Sequence, residues 1–416
     1  MFRLYFGRFA TKADENLRIT DLRKQEFRRV LLIKPSAVGD VIHTLPVLEK
    51  LRRRYPSARI DWMLTPQNAE LIRGHPALSN VVLFERQAYG RIWKDWSSPS
   101  DLLRMLTGLR QTQYDLVIDL HGQFRSACFA LATGAHTRIG FDRPRRRVRR
   151  AGRALPEGAF DHAWQGAREL SWMAYTHRIP IPTLDAHAID RYLWVGEMLD
   201  LPTGAPRFDL PVSFEAQNRI DQLLAEHAVE GKPVAVLTPG SVWETKRWRA
   251  GGFADVGRHF IESGWTVVLA GSPRDREACR EVAVQCESAV DLCGLTSLSD
   301  LAALMRRAEL CIANDSGPLH LAAALGTPLV AIFGPTDPVW VGPYEQLDAV
   351  VRAGVACSPC YLRQLRQCRY NHACMREVTA EMVIQRAERV LSSRRPELWH
   401  RLSARADDTR LSTTRP

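Results

Sequence analysis

The sequence contains no apolar run reaching the ~18 residues that a membrane-crossing helix needs. Its opening Met-Phe-Arg-Leu-Tyr-Phe-Gly-Arg has no long apolar core of the kind a secretory leader carries. Together these absences predict a cytoplasmic protein. A GxGxxG fingerprint is also missing, which argues against one dinucleotide site on one nucleotide-binding unit. Acidic residues are fewer than basic ones, 46 against 57, and the formal charge is +11. That excess predicts an anionic partner: nucleic acid, a membrane surface or phosphorylated substrates.

What is present suits a soluble globular chain, with 45% hydrophobic and 25% charged residues. A length of 416 residues leaves room for two domains with full cores. Residues 1–27 are charge-rich without a sustained period and read as a flexible extension. From residue 28, short apolar runs (30–33, 59–64, 81–84, 116–120) alternate with helical patterns (41–54, 69–73, 99–111, 126–133). Such alternation predicts a parallel sheet covered on both faces. A helix is expected over 185–199, and residues 201–212, rich in proline, read as a linker.

A second alternation follows over 213–352, with strands expected at 234–237, 265–270, 289–292, 310–313 and 329–333. Helices are expected at 253–263, 298–307 and 320–325. The fold class is therefore α/β, with two Rossmann-like units, 28–200 and 213–352, facing across a cleft. A cysteine cluster (353–377), an amphipathic helix (378–392) that could pack back across the domain junction, and a polar, disordered tail (393–416) complete the chain. The seven arginines between 143 and 153 read as a solvated loop or as a means of recruitment to phosphate-bearing lipid.

Several loops carry residues suited to chemistry. Asp40 falls where a strand and turn give way to a helix, so its carboxylate is either a helix cap or a general base facing a cleft. Residues 238–248 place Gly240 and Ser241 in a turn that can aim amides at a diphosphate, with Lys246 as a compact cation nearby. Asp315, Ser316 and Gly317 form a turn into a helix whose N-terminus favours an anion, and His320 lies on its first turns. Asp275 lies just past a strand end, where an acid can accept ribose hydroxyls or cap a helix. Cys357, Cys360, Cys368 and Cys374 have spacing that suits a tetrahedral structural zinc or iron, with free or redox-active thiols as the alternative.

Two stretches resemble one known family. Residues 33–46, Ile-Lys-Pro-Ser-Ala-Val-Gly-Asp-Val-Ile-His-Thr-Leu-Pro, resemble the N-terminal motif of the lipopolysaccharide heptosyltransferases of glycosyltransferase family 9. Residues 315–338, from Asp-Ser-Gly-Pro-Leu-His to Phe-Gly-Pro-Thr-Asp-Pro, resemble that family's donor-binding signature. The resemblance implies a GT-B architecture and an inverting transfer of L-glycero-D-manno-heptose from ADP-heptose to the inner core, onto a Kdo or heptose acceptor. It implies Asp40 as base and Lys246 on the donor phosphate. Gly240, Ser241, Asp275, Leu295, Thr296, Asp315, Ser316, Gly317 and His320 would line the donor. Arg125 becomes the candidate for an acidic acceptor group, with Arg91 and Lys94 beside it. No cofactor is implied for catalysis, and the partner would be an anionic lipid at the inner face of the inner membrane. Two alternatives remain at this point: a GT-B transferase using another nucleotide sugar, and a non-catalytic nucleotide or nucleic-acid binding protein.

Overall fold

The structure, a computed structural model, describes residues 22–85, 99–145 and 163–398, except 228 and 230. Arg91, Lys94, most of the arginine run and both chain ends lie outside the described residues. Within them, the short Val/Ile/Leu runs form strands buried on both faces, as covered parallel sheets require.

The first sheet holds β1 (Arg29–Ile33), β2 (Arg59–Leu64), β3 (Asn80–Leu83), β4 (Leu116–Asp119), β5 (Thr137–Phe141) and β6 (His177–Ile179). The second holds β7 (Val234–Thr238), β8 (Thr266–Leu269), β9 (Val290–Asp291), β10 (Leu310–Asn314), β11 (Leu329–Ile332) and β12 (Val350–Val351). Their orders are β3-β2-β1-β4-β5-β6 and β12-β11-β10-β7-β8-β9. Neighbouring strands are parallel throughout. Both sheets have the same doubly wound order, so each reverses direction once, at β1/β4 and at β7/β10. Open parallel sheets bind ligands beyond the strand ends at that reversal.

Sequence periodicity missed β5, β6 and β12. The first mixes Thr, Arg and Gly with its apolar residues, and the other two have three and two residues. The helix expected over 185–199 is two, Ala188–Leu193 and Val195–Leu199, interrupted at Trp194. Residues 200–213 have no regular element, and Lys50 Nζ ties them down by donating to the carbonyls of Pro202 (2.6 Å) and Gly204 (3.1 Å).

The two halves share one hydrophobic core. Helix Val38–Arg54 of the first half packs on helix Gly317–Leu325 of the second. Two glycines allow the close approach: a Cβ on Gly39 would lie 2.6 Å from His320 Cδ2, and one on Gly317 would lie 3.0 Å from Val38 Cβ. The N-termini of both helices therefore reach the same region from opposite sides. The C-terminal helix, Ala380–Arg394, packs on helix Ala250–Glu262 and on β11 and β12, so its main seat is the second half rather than the junction. Among the described residues, no helix is long and apolar enough to cross a membrane.

Candidate functional site

The loops after the four reversal strands open onto one cleft of about 610 Å³ between the halves. From the first half it is lined by Asp40 and Lys34 after β1, and by His121 and Arg125 after β4. From the second half come Ser241 and Lys246 after β7, and Asp315, Ser316, Gly317 and His320 after β10. Eight residues singled out from sequence thus line one wall or the other.

Asp40 serves as both a cap and a cleft carboxylate. The helix begins at Val38, earlier than its apolar spacing suggested, so Asp40 lies in the first turn and its Oδ2 accepts the Ala37 N–H at 3.2 Å. Oδ1 accepts the Tyr192 hydroxyl at 2.9 Å, and Lys34 Nζ stands 3.5 Å from Oδ2. The side chain remains 40% exposed, so it is open to the cleft. Burial pushes its pKa up, but Lys34, the Tyr192 bond, His121 and the Ala37 amide together outweigh burial, and the pKa falls below its ordinary value. The result is an ionised carboxylate held in place by three partners.

Across the cleft, Lys246 Nζ pairs with Asp315 Oδ2 at 2.7 Å, and Thr336 Oγ1 donates to the same oxygen at 2.6 Å. Both contacts fall on Oδ2, and Asp315 keeps its place in the cleft lining. Lys246 also lies 4.5 Å from the Trp243 ring centroid, which favours a cation. Ser316 precedes the helix, and its buried Oγ has no hydrogen-bond partner. An unpartnered hydroxyl, free first-turn amides and a positive helix end beside a lysine make a cradle for an anion.

His320 is buried beside this cradle, with Nδ1 3.1 Å from His43 Nε2 and Nε2 3.9 Å from Asp315 Oδ1. Burial, with Lys246 adding to it, lowers its pKa against the opposite pull of Asp315 and Asp40. The rest of the expected donor set (Gly240, Asp275, Leu295 and Thr296) is not part of the cleft lining. Asp275 Oδ2 accepts from the Ser272 N–H (2.9 Å) and Oγ (2.6 Å), so it caps a turn as the plainer reading held. Its other oxygen packs on Gly240, where a Cβ would lie 2.2 Å away. Leu295 is 61% exposed on the same side, with Thr296 following it.

Asn314 fixes the cradle loop, its Oδ1 accepting the Trp248 N–H (3.1 Å) and its Nδ2 donating to the Pro239 carbonyl (2.7 Å). The cysteine lobe braces the same loop. Thr245 Oγ1 donates to the Leu362 carbonyl at 2.6 Å, His372 Nε2 contacts the Thr245 carbonyl at 2.7 Å, and Leu365 N–H donates to Glu244 at 3.1 Å. Cys374 has its pKa pushed up to about 12, first by burial and then by Cys360, Cys357 and Cys368. They do not form a closed metal cage here. Among the described residues, the trio whose donor atoms lie within 4.8 Å of one another is Cys279, Asp291 and Cys293.

Sequence reasoning did not single out Tyr192, His43, Arg168, Arg191 or Arg363, all of which line the cleft. Tyr192 is 152 residues from the carboxylate it holds, and no local pattern marks such a partner.

Two facing Rossmann-like units with charged groups converging between them form a GT-B architecture, and comparison with known proteins gives it a family. The profile of glycosyltransferase family 9 (heptosyltransferase) matches residues 102–372. The lipopolysaccharide heptosyltransferase 1 of Pseudomonas aeruginosa is 31% identical over 338 residues, 80% of this chain and 86% of its own length. A family 9 glycosyl transferase from Veillonella parvula matches in structure with a TM-score of 0.71 at 23% identity, covering 88% of this chain and 98% of that one. The E. coli ADP-heptose LPS heptosyltransferase II matches with a TM-score of 0.65 at 23% identity, covering 88% and 99%. The chain belongs to glycosyltransferase family 9, the heptosyltransferases, and is a glycosyltransferase.

Proposed function

We propose that the protein transfers L-glycero-D-manno-heptose from ADP-heptose to the inner core of lipopolysaccharide, by direct displacement with inversion. The observation that carries this reading is the placement of an ionised, cleft-facing Asp40 opposite the Lys246–Ser316 anion cradle. In this scheme Asp40 accepts the proton of an acceptor hydroxyl as its oxygen attacks the anomeric carbon. The bond from that carbon to the diphosphate breaks on the opposite face, and ADP leaves with its electron pair. Lys246, the Ser316 hydroxyl and the first-turn amides after it meet the charge that develops on the diphosphate. His320 packs beside the sugar and phosphates.

Gly240, Asp275, Leu295 and Thr296 would carry the nucleoside, with Asp275 towards the ribose and exposed Leu295 beneath the base. Residues 28–200 then act as the acceptor domain and 213–352 as the donor domain, joined by 201–212. Arg125, exposed on the rim of the first half, would meet an acidic group of the acceptor. The net charge of +11 suits a peripheral position against an anionic lipid surface. The four C-terminal thiols have the soft-donor chemistry of a structural zinc or iron site, and binding would draw them together while they brace the Lys246 loop. No catalytic step passes through that metal.

The test is incubation of the purified protein with ADP-heptose and a set of truncated core acceptors, with ADP release and acceptor mass followed together. One heptose added per ADP released supports the reading. Transfer only from a different nucleotide sugar would keep the mechanism and overturn the donor.

A further inference from the structure

Two of the cations in the cleft are matched by a carboxylate. Lys34 faces Asp40, and Lys246 faces Asp315. Among the described residues, Arg168 and Arg363 line the same cleft with no carboxylate within 4.0 Å. They come from opposite halves of the molecule: Arg168 from the connection between β5 and β6, Arg363 from the cysteine lobe.

Both are held by built surroundings rather than left as loose surface charges. The Arg168 N–H donates to the Gly122 carbonyl at 2.7 Å, and Phe124 N–H donates to Glu169 at 3.1 Å. These bonds join the loop of Arg168 to the loop of Arg125, so both guanidinium groups share the first-half rim. Arg168 Nη2 also donates to the Ala163 carbonyl at 3.3 Å. Arg363 Cζ lies 4.8 Å from the centroid of the Trp243 ring, the ring that Lys246 also faces. Beneath them Ala163, Trp340 and Tyr361 form a small apolar cluster spanning both halves, with Trp340 and Tyr361 stacked at 5.7 Å and Trp243 packed against it. Burial and then the charge of Arg168 lower the pKa of Arg363, so the two cations act on each other.

Like charges brought together from two halves, over a rigid apolar floor, are stabilised by an anion placed between them. A guanidinium pair suits a carboxylate or a phosphate ester, which it can grip through paired N–H groups. We propose that Arg168 and Arg363 form a two-sided clamp for an acidic group on the acceptor, so that the enzyme selects acidic acceptors and seats them as the halves meet. This rests on the transferase reading given above. The link of Arg168 to the Arg125 loop, on the half that carries Asp40, places the clamp on the acceptor side rather than with the donor diphosphate. It also gives the cysteine lobe a function, since the lobe delivers Arg363.

The test uses full-length protein with Arg168→Gln and Arg363→Gln, three forms of one truncated core acceptor (untreated, carboxylates converted to methyl esters, phosphates removed) and ADP-heptose. Each variant is expected to raise KM for the untreated acceptor at least about tenfold, as loss of a charge-assisted contact does. Donor KM, ADP affinity and melting temperature should stay at the wild-type values. With the acceptor form that lacks the gripped acid, wild type should fall to the level of the variants, and whichever treatment does this identifies a carboxylate or a phosphate. A rise in donor KM with the acceptor KM unmoved would overturn the proposal and assign Arg363 to the diphosphate; no change in either would overturn it outright. Should the wild type release no ADP at all, the transferase reading fails on its own. Calorimetric titration of the untreated acceptor into wild type and Arg363→Gln then decides the clamp, equal affinities refuting it.

Discussion

His43 Nε2 and His320 Nδ1 lie 3.1 Å apart, one ring from each half of the molecule. For a hydrogen bond here, one nitrogen must donate and the other accept, so at least one ring has to be neutral. His187 joins the group, its ring 5.3 Å from that of His43, and it fixes its own tautomer. Its Nε2–H donates to the Gly342 carbonyl at 3.0 Å, while Nδ1 accepts the Ile189 N–H at 3.1 Å. The seam between the halves is therefore built from buried neutral imidazoles, with Arg191, Lys246, Lys34, Asp315 and Asp40 as the charged groups around them.

That seam should weaken in acid. Burial pushes His187 down from 6.5 to about 4, and lowers His43 and His320 as well. The unfolded chain then binds more protons than the folded one between those two values, so stability rises with pH across that window and is lost as pH falls through it. The urea midpoint should fall from pH 6.5 to pH 4, and His187→Gln should flatten the slope by about one proton. A slope identical to that of the wild type would remove His187 from the seam.

Lys34 tunes the base. Burial raises the pKa of Asp40 and the nearby ammonium is the largest effect opposing it. Lys34→Met should therefore move the acidic limb of the kcat/KM profile to higher pH, with ADP affinity unchanged. A limb that stays in place would show that another group titrates there.

Lys246→Met should lower kcat/KM about 100-fold, as loss of a donor to a developing charge does. It should also destabilise the fold by about 3 kcal/mol, because it strands buried Asp315. Adding Asp315→Asn should restore stability without restoring activity. Recovery of both together would mean that the lysine is structural only.

Metal analysis of protein purified without chelator should find about one ion per chain at the C-terminal thiols. Stripping it should lower the melting temperature and kcat together, since His372 and Leu362 of that lobe hold Thr245, the neighbour of Lys246. Metal-free protein of full stability and activity would retire the thiolate cage.

What was legible in the sequence was whatever lies in one loop. Asp40, Lys246 and the Asp315–His320 turn each follow a buried strand, and a strand-turn-helix pattern is visible in a short window. Partners from elsewhere were not legible: Tyr192 holds Asp40 across 152 residues, and His43 meets His320 across 277. Asp315 shows the same limit in another form. Its motif marked it for the donor but carries no sign that Lys246 and Thr336 meet its Oδ2. The missed strands β6 and β12 are too short to carry a period, and only pairing with β5 and β11 defines them.

The most direct measurement is turnover and ADP binding for Asp40→Asn, a change that keeps the shape of the side chain and an oxygen for the Ala37 amide. The expected result is loss of heptose transfer by at least about 100-fold, with ADP affinity close to the wild type and a folded protein of lowered melting temperature, because buried Lys34 loses its partner. Transfer at the wild-type rate would contradict the assignment of Asp40 as base, and loss of folding or of ADP binding would reduce it to a helix cap.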